Sequence, residues 1–155
     1  MKDIQIIMLG TGNAVVTRCY NTCFAIQTTE NVLLVDAGGG NGILVQLEKA
    51  GIAIERIHDM FVTHAHTDHI LGAVWVIRMV AQRMQSGKYT GVFRVYGHDK
   101  VLQVLDWICR MTLPKKIVQY LGNGIELCEV KDGEIFKAGE LKLQSFDIGS
   151  TKEKQ

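Results

Sequence analysis

A chain of 155 residues with a formal net charge of +1 has no field strong enough to capture nucleic acid by charge alone. With 47% hydrophobic and 21% charged residues it is composed like an ordinary folded domain, which excludes disordered and fibrous classes. Its most apolar segment, 70–80, is too short to cross a bilayer and carries Arg78.

In chain order, the runs 4–9, 22–27 and 32–36 read as strands bounded by glycine, asparagine and threonine turns. An amphipathic helix over 43–50 stops at Gly51, and 57–63 returns to strand. A long apolar helix is predicted over 68–84, ending at Ser86-Gly87. A buried strand over 92–96 and a helix over 100–111 follow. Pro114 fits the first turn of a short helix reaching Tyr120, because its missing N–H is not needed there. The runs 125–130, 135–136 after the Asp132-Gly133 turn, and 141–146 read as closing strands. The polar tail 151–155 resembles the approach to a further strand. No linker or repeat interrupts the chain, so residues 1–155 are expected to form one domain.

Met1 leads through Lys2-Asp3 straight into the first predicted strand, so no secretory leader is expected. The cytoplasm is the expected compartment, and Cys19, Cys23, Cys109 and Cys128 are expected to be reduced. Cys109 lies among Trp107, Ile108 and Met111 and is expected in a core. The glycine-rich stretch 38–42 lacks the Lys-Ser/Thr of a nucleotide-binding loop. It suits a sharp turn after Asp36 or a close approach of backbone to a site.

Chemistry concentrates in residues 63–69, Thr-His-Ala-His-Thr-Asp-His. His64, His66, Asp68 and His69 place four metal-binding groups within six positions. Imidazole suits zinc, iron and manganese, and a carboxylate adds a hard anionic donor, so a divalent transition-metal site is the natural reading. On extended backbone His64 and His66 project from one face and share one ion. Asp68 and His69, where the chain turns into the helix, are then free to hold a second, while Asp68 is also a candidate cap for that helix. Two such ions would clamp a hydroxide and the oxygens of a substrate undergoing hydrolysis.

This run resembles the His-x-His-x-Asp-His signature of the metallo-β-lactamase superfamily of metal-dependent hydrolases. Ile6-Ile7-Met8-Leu9-Gly10-Thr11-Gly12, Asn21-Thr22-Cys23-Phe24, Leu33-Leu34-Val35-Asp36-Ala37-Gly38 and the segment from Thr63 to Gly72 resemble its ribonuclease Z and phosphodiesterase branch. The resemblance implies an α/β fold (α+β in some schemes), the first half of an αββα sandwich with a mixed sheet flanked by helices. It makes His64 and His66 ligands of a first metal, and Asp68 and His69 ligands of a second. Asp68 doubles as general acid or base, and Asp36 orients a ligand histidine. The cofactor it implies is a divalent metal, Zn2+ before Mn2+ or Fe, and the activity is phosphodiester or ester hydrolysis by metal-bound hydroxide.

The family's third histidine follows a late strand in contexts resembling Phe-Asp-Ile-His-Ser, where this chain reads Phe146-Asp147-Ile148-Gly149-Ser150. Gly149 thus marks a missing ligand position. His58, between helix and strand, and His98, at a helix start beside Asp99, are not placed by the motif. The chain is therefore expected to be incomplete at its C-terminus, holding only part of a site and inactive alone. An apolar sheet face is expected to stand open, and a homodimer is the partner that covers it. RNA or a small phosphodiester or ester is the expected substrate class. The alternative is a degenerate, non-catalytic half-domain acting in assembly or binding.

Overall fold

The apolar runs pair in the order in which they leave the sequence. In the computed structural model, residues 4–149 are described; the tail 151–155 lies outside them. β1 (Gln5–Gly10), β2 (Cys23–Gln27) and β3 (Val32–Val35) form an antiparallel meander. β4 (Ile57–Phe61), β5 (Phe93–Gly97) and β6 (Ile125–Glu129) then add in parallel, giving one six-stranded mixed sheet in sequence order. Parallel neighbours need crossovers, and helices supply them. α1 (Gly42–Lys49) precedes β4, α2 (Thr67–Gln85) precedes β5, and α3 (Asp99–Thr112) with the short α4 (Lys115–Val118) precedes β6.

Side chains alternate across the sheet, so each strand feeds two cores. Leu34, Met60, Val95 and Ile125 meet Ile43, Leu47, Ile70, Ile77 and Leu105 of the helices in the larger core. Each such side chain, fully buried, contributes about 1.5–3 kcal/mol. On the opposite face Leu33, Tyr96 and Val130 pack beneath a separate hairpin, β7 (Ile135–Ala138) with β8 (Leu141–Gln144). Phe136 stacks on Phe61 at 5.9 Å and leans on Tyr96 at 4.8 Å. The Tyr96 hydroxyl donates to Lys137 O at 2.9 Å, fastening the hairpin to β5. Toward β1 the same face stands open, with Ile6 and Met8 exposed. Among the described residues, the expected uncovered apolar face is therefore found toward β1, while the hairpin covers Leu33, Tyr96 and Val130.

Predicted and observed boundaries differ by a residue or two, with two differences that bear on the site. β4 ends at Phe61, so residues 62–66 form a connection and not a strand tip. His66, in extended conformation, caps α2, and Asp68 lies in its first turn with no capping hydrogen bond from the cap residue. Asp68 is therefore not the helix cap. The four cysteines are free, and Cys109 is buried as expected. Among the described residues, no helix is long and apolar enough to cross a membrane.

α2 approaches the turn after β3 very closely. Gly72 N donates to Gly38 O at 2.8 Å, and a Cβ on Gly72 would lie 1.7 Å from Ala37 O. Only glycine permits this contact. Replacing Gly72 with alanine should destabilise the fold by about 1–3 kcal/mol despite alanine's better helix propensity. A chemical-denaturation midpoint unchanged from wild type would show that the helix is not held this tightly.

Candidate metal centre

Three segments converge on Asp36. The turn after β3 places this residue in the left-handed region at φ 54°, a conformation otherwise reserved for glycines among the described residues. Its carboxylate is buried, so it needs partners. The backbone N–H of Thr63 donates to Oδ1 at 2.8 Å, and the Thr63 hydroxyl donates to Oδ2 at 2.8 Å. His69 Nδ1 lies 2.8 Å from Oδ2. Asp36 thus bonds a backbone N–H, a hydroxyl and a histidine ring at once.

The network also sets ring tautomers. Since the single Thr63 hydroxyl proton points at the carboxylate, Thr63 Oγ1 accepts from His64 Nδ1 at 2.9 Å. His69 likewise presents its Nδ1–H to Asp36. In both rings Nε2 is then the lone-pair nitrogen, the form in which histidine ligates metals. His69 Nε2 lies 3.3 Å from Asp68 Oδ2. The rings of His64 and His66 meet edge-on at 4.5 Å, and those of His64 and His69 are closer still at 4.1 Å.

Backbone around the cluster is clamped by residues to which the sequence pointed no function. Tyr20 donates its hydroxyl to Ala37 O at 2.9 Å and Gly40 O at 2.8 Å, and burial pushes its phenol up to about 12. Asn21 Oδ1 accepts from Gly39 N at 3.2 Å, so the glycine turn is held against the loop that follows β1. Thr63 sits inside the quoted run, yet spacing alone gave no reason to see it as the link between Asp36 and His64.

A test of fit to a divalent ion gives a divided answer. Donor types, tautomers and clustering of His64, His66 and His69 suit zinc-like ions. Among the described residues, however, no group of three or more His, Cys, Asp or Glu side chains converges closely enough to hold one. Gly149 has φ 60° and open space around it, so the position supplies no donor. His98, not assigned a role by the motif, is buried at the start of α3 and faces a cavity of about 410 Å³ that His64 and Thr63 also line. His58 lies apart, its Nδ1 3.0 Å from the Tyr89 hydroxyl.

The two candidate ligands differ in proton affinity. The hydrogen bond to Asp36 raises His69 above the ordinary 6.5, against the opposing effect of burial. Burial first, and His69 second, lower His64 below it. The charged His69–Asp36 pair therefore adds stability below pH 6.5 that is lost as pH rises through the elevated folded value. For His64 the contribution is present above pH 6.5 and is lost as pH falls through the depressed one. Side-chain NMR of the metal-free protein should show His69 titrating at higher pH than His64, and Asp36→Asn should bring the His69 midpoint down. Coincident midpoints, or no response to the substitution, would contradict the network.

Comparison with known proteins bears on what this arrangement is. The family model described as anti-Pycsar protein Apyc1 matches residues 4–155. Ribonuclease Z of Methanothermobacter thermautotrophicus is 33% identical over 143 residues, covering 92% of this chain and 43% of that protein. Ribonuclease Z of Pyrococcus furiosus is 40% identical over 97 residues, 62% of this chain and 30% of that one. This chain thus spans less than half the length of the curated relatives it matches. A diphosphatase of the PhnP family superimposes with TM-score 0.71 at 18% identity, covering 93% of this chain and 56% of its own. Human tRNase Z, short form, gives TM-score 0.63 at 19% identity, covering 80% and 43%. These two likenesses show the fold, a half-sandwich of metallo-β-lactamase type. The chain belongs to the family of the anti-Pycsar protein Apyc1, within the metallo-β-lactamase superfamily and related to its ribonuclease Z and phosphodiesterase branch.

Proposed function

We propose that this chain is the metal-holding part of a cytoplasmic hydrolase that cleaves phosphodiesters or related esters. His64 and His66 would hold one divalent ion, zinc before manganese or iron, and Asp68 and His69 a second. The observation that carries this reading is the Asp36 carboxylate, which orients His69 directly and His64 through Thr63. Such outer partners fix the ring and raise its basicity, as metal sites require. Relatives named ribonuclease Z and diphosphatase favour substrates with phosphorus–oxygen bonds.

A bound divalent ion supplies Lewis-acid polarisation and lowers the pKa of water toward neutrality. The chain's own residues do the rest. Asp36 holds the Nδ1 proton of His69, and Thr63 that of His64, away from the site, and Asp68 Oδ2 would accept and return a proton. The cavity beside His64 receives the substrate while Phe61 and Val130 exclude water from one side. On this reading residues 1–155 form a single domain equivalent to the first half of the sandwich. The remaining donors come from outside the described residues, and a second copy covers the open face at Ile6 and Met8.

Gly149, standing where the resemblance places a histidine, favours a second reading: a non-catalytic half-domain that uses the fold for assembly. Metal analysis separates the two. The hydrolase reading expects retention of zinc, manganese or iron after gel filtration, and roughly 10–100-fold weaker binding in Asp36→Asn. It also expects chelator-sensitive cleavage of bis(p-nitrophenyl) phosphate once the remaining donors are supplied. Failure to retain any of the three ions would leave only the assembly role.

A further inference from the structure

We infer that the groove between α2 and α3 is a binding site for a small aromatic carboxylate, held by Arg78 beside the indole of Trp75. The site goes beyond the hydrolase reading and does not depend on it. Leu71, Trp75 and Arg78 stand at i, i+4 and i+7 of α2, so they form one stripe along that helix. α3 packs against α2 and faces the stripe with Ile108 and Thr112, again four residues apart. Gly40, in the turn after Asp36, also lines the groove, and a Cβ there would meet no atom within 4 Å. The lining encloses about 270 Å³.

Two groups in this groove are left unused by the fold. Tryptophan is highly buried on average, yet Trp75 is 36% exposed. The Arg78 guanidinium lies over its ring, 5.7 Å from the centroid, and among the described residues no carboxylate forms an ion pair with it. Stacking on the indole holds the planar fork in place, which lowers the cost of receiving a carboxylate on its N–H edge. The Thr112 hydroxyl donates to Ile108 O at 2.6 Å, so its one proton is already taken. Among the described residues Arg78 is the one charged side chain lining the groove. One cation balances the single charge of a carboxylate and leaves a phosphate dianion half neutralised. The indole, Leu71 and Ile108 give the remaining surface an apolar character that suits a hydrocarbon ring. Drug-sized pockets run from roughly 300 to 1,000 Å³, so this smaller groove fits a single ring on a short chain.

Tryptophan fluorescence of the full chain tests this directly. The chain has two tryptophans, and Trp107, 65% exposed on α3, is not part of the lining. Trp107→Phe therefore leaves Trp75 as the single reporter. Three probes separate ring from charge: 3-phenylpropionate carries both, 3-phenylpropan-1-ol the ring alone, and acetate the charge alone. The acid should change Trp75 emission saturably, the alcohol should bind roughly tenfold more weakly, and acetate should have no effect. Arg78→Gln in the same background should weaken the acid roughly tenfold and leave the alcohol unchanged. An alcohol that binds as tightly as the acid, no saturable response to millimolar acid, a response to acetate alone, or unchanged acid affinity in Arg78→Gln would each overturn the assignment. Should either variant fail to fold, the Ile108 methyl signals of the unaltered chain, titrated by NMR with the same three probes, decide. None of these readings involves metal or hydrolysis, so this result stands apart from that of metal retention.

Discussion

One buried carboxylate holds three distant pieces of chain in register. Asp36 follows β3, Thr63 follows β4 and His69 lies in the first turns of α2, and all three meet at Oδ1 and Oδ2. Hydrogen bonds to a charged group are worth about 1.5–3 kcal/mol each, the scale needed to offset burying that charge. The same contacts decide which nitrogen of His64 and His69 is left bare. Stability and the tautomers of both rings therefore depend on the same atoms, and a change at Asp36 disturbs both.

The carboxylate can occupy that position only because backbone has been cleared from it. Asp36 itself turns left-handed, Gly38 does so at φ 70°, and Gly72 lets α2 lie directly on the Ala37 carbonyl. Tyr20 and Asn21 then brace the turn from the far side. A left-handed aspartate costs local strain, and such residues persist where surrounding structure over-determines them. Here the bracing is visible in named hydrogen bonds, so the strain is supported and the side chain cannot swing away.

Much of this could be read before any coordinates. The alternation of strands and helices showed in the periodicity, and each crossover helix fell close to its expected range because glycine, proline and polar residues mark its ends. The His and Asp run at 63–69 stood out because metal chemistry demands such residue types at tight spacing, and the rings of His64, His66 and His69 do lie together. What periodicity could not show was contact across the chain. Nothing in the spacing places His69 nearer to His64 than His66 is, since that depends on the angle at which α2 leaves the connection after β4. Nor does it reveal that β7 and β8 fold over Phe61 and Tyr96, because alternation identifies the faces of a strand but not what lies on them. His98 resembled a helix-start residue and is one; that its ring nitrogens lack a hydrogen-bond partner among the described residues is a tertiary property.

The loop that braces the glycine turn also contains the exposed Cys19. Burial pushes the thiols of Cys23 and Cys109 up to about 12 and raises that of Cys128, so all three are poor nucleophiles near neutral pH. A maleimide dye would thus attach selectively one residue from Tyr20. Its fluorescence could report, in real time, any loosening or tightening of the brace as ions or small molecules arrive.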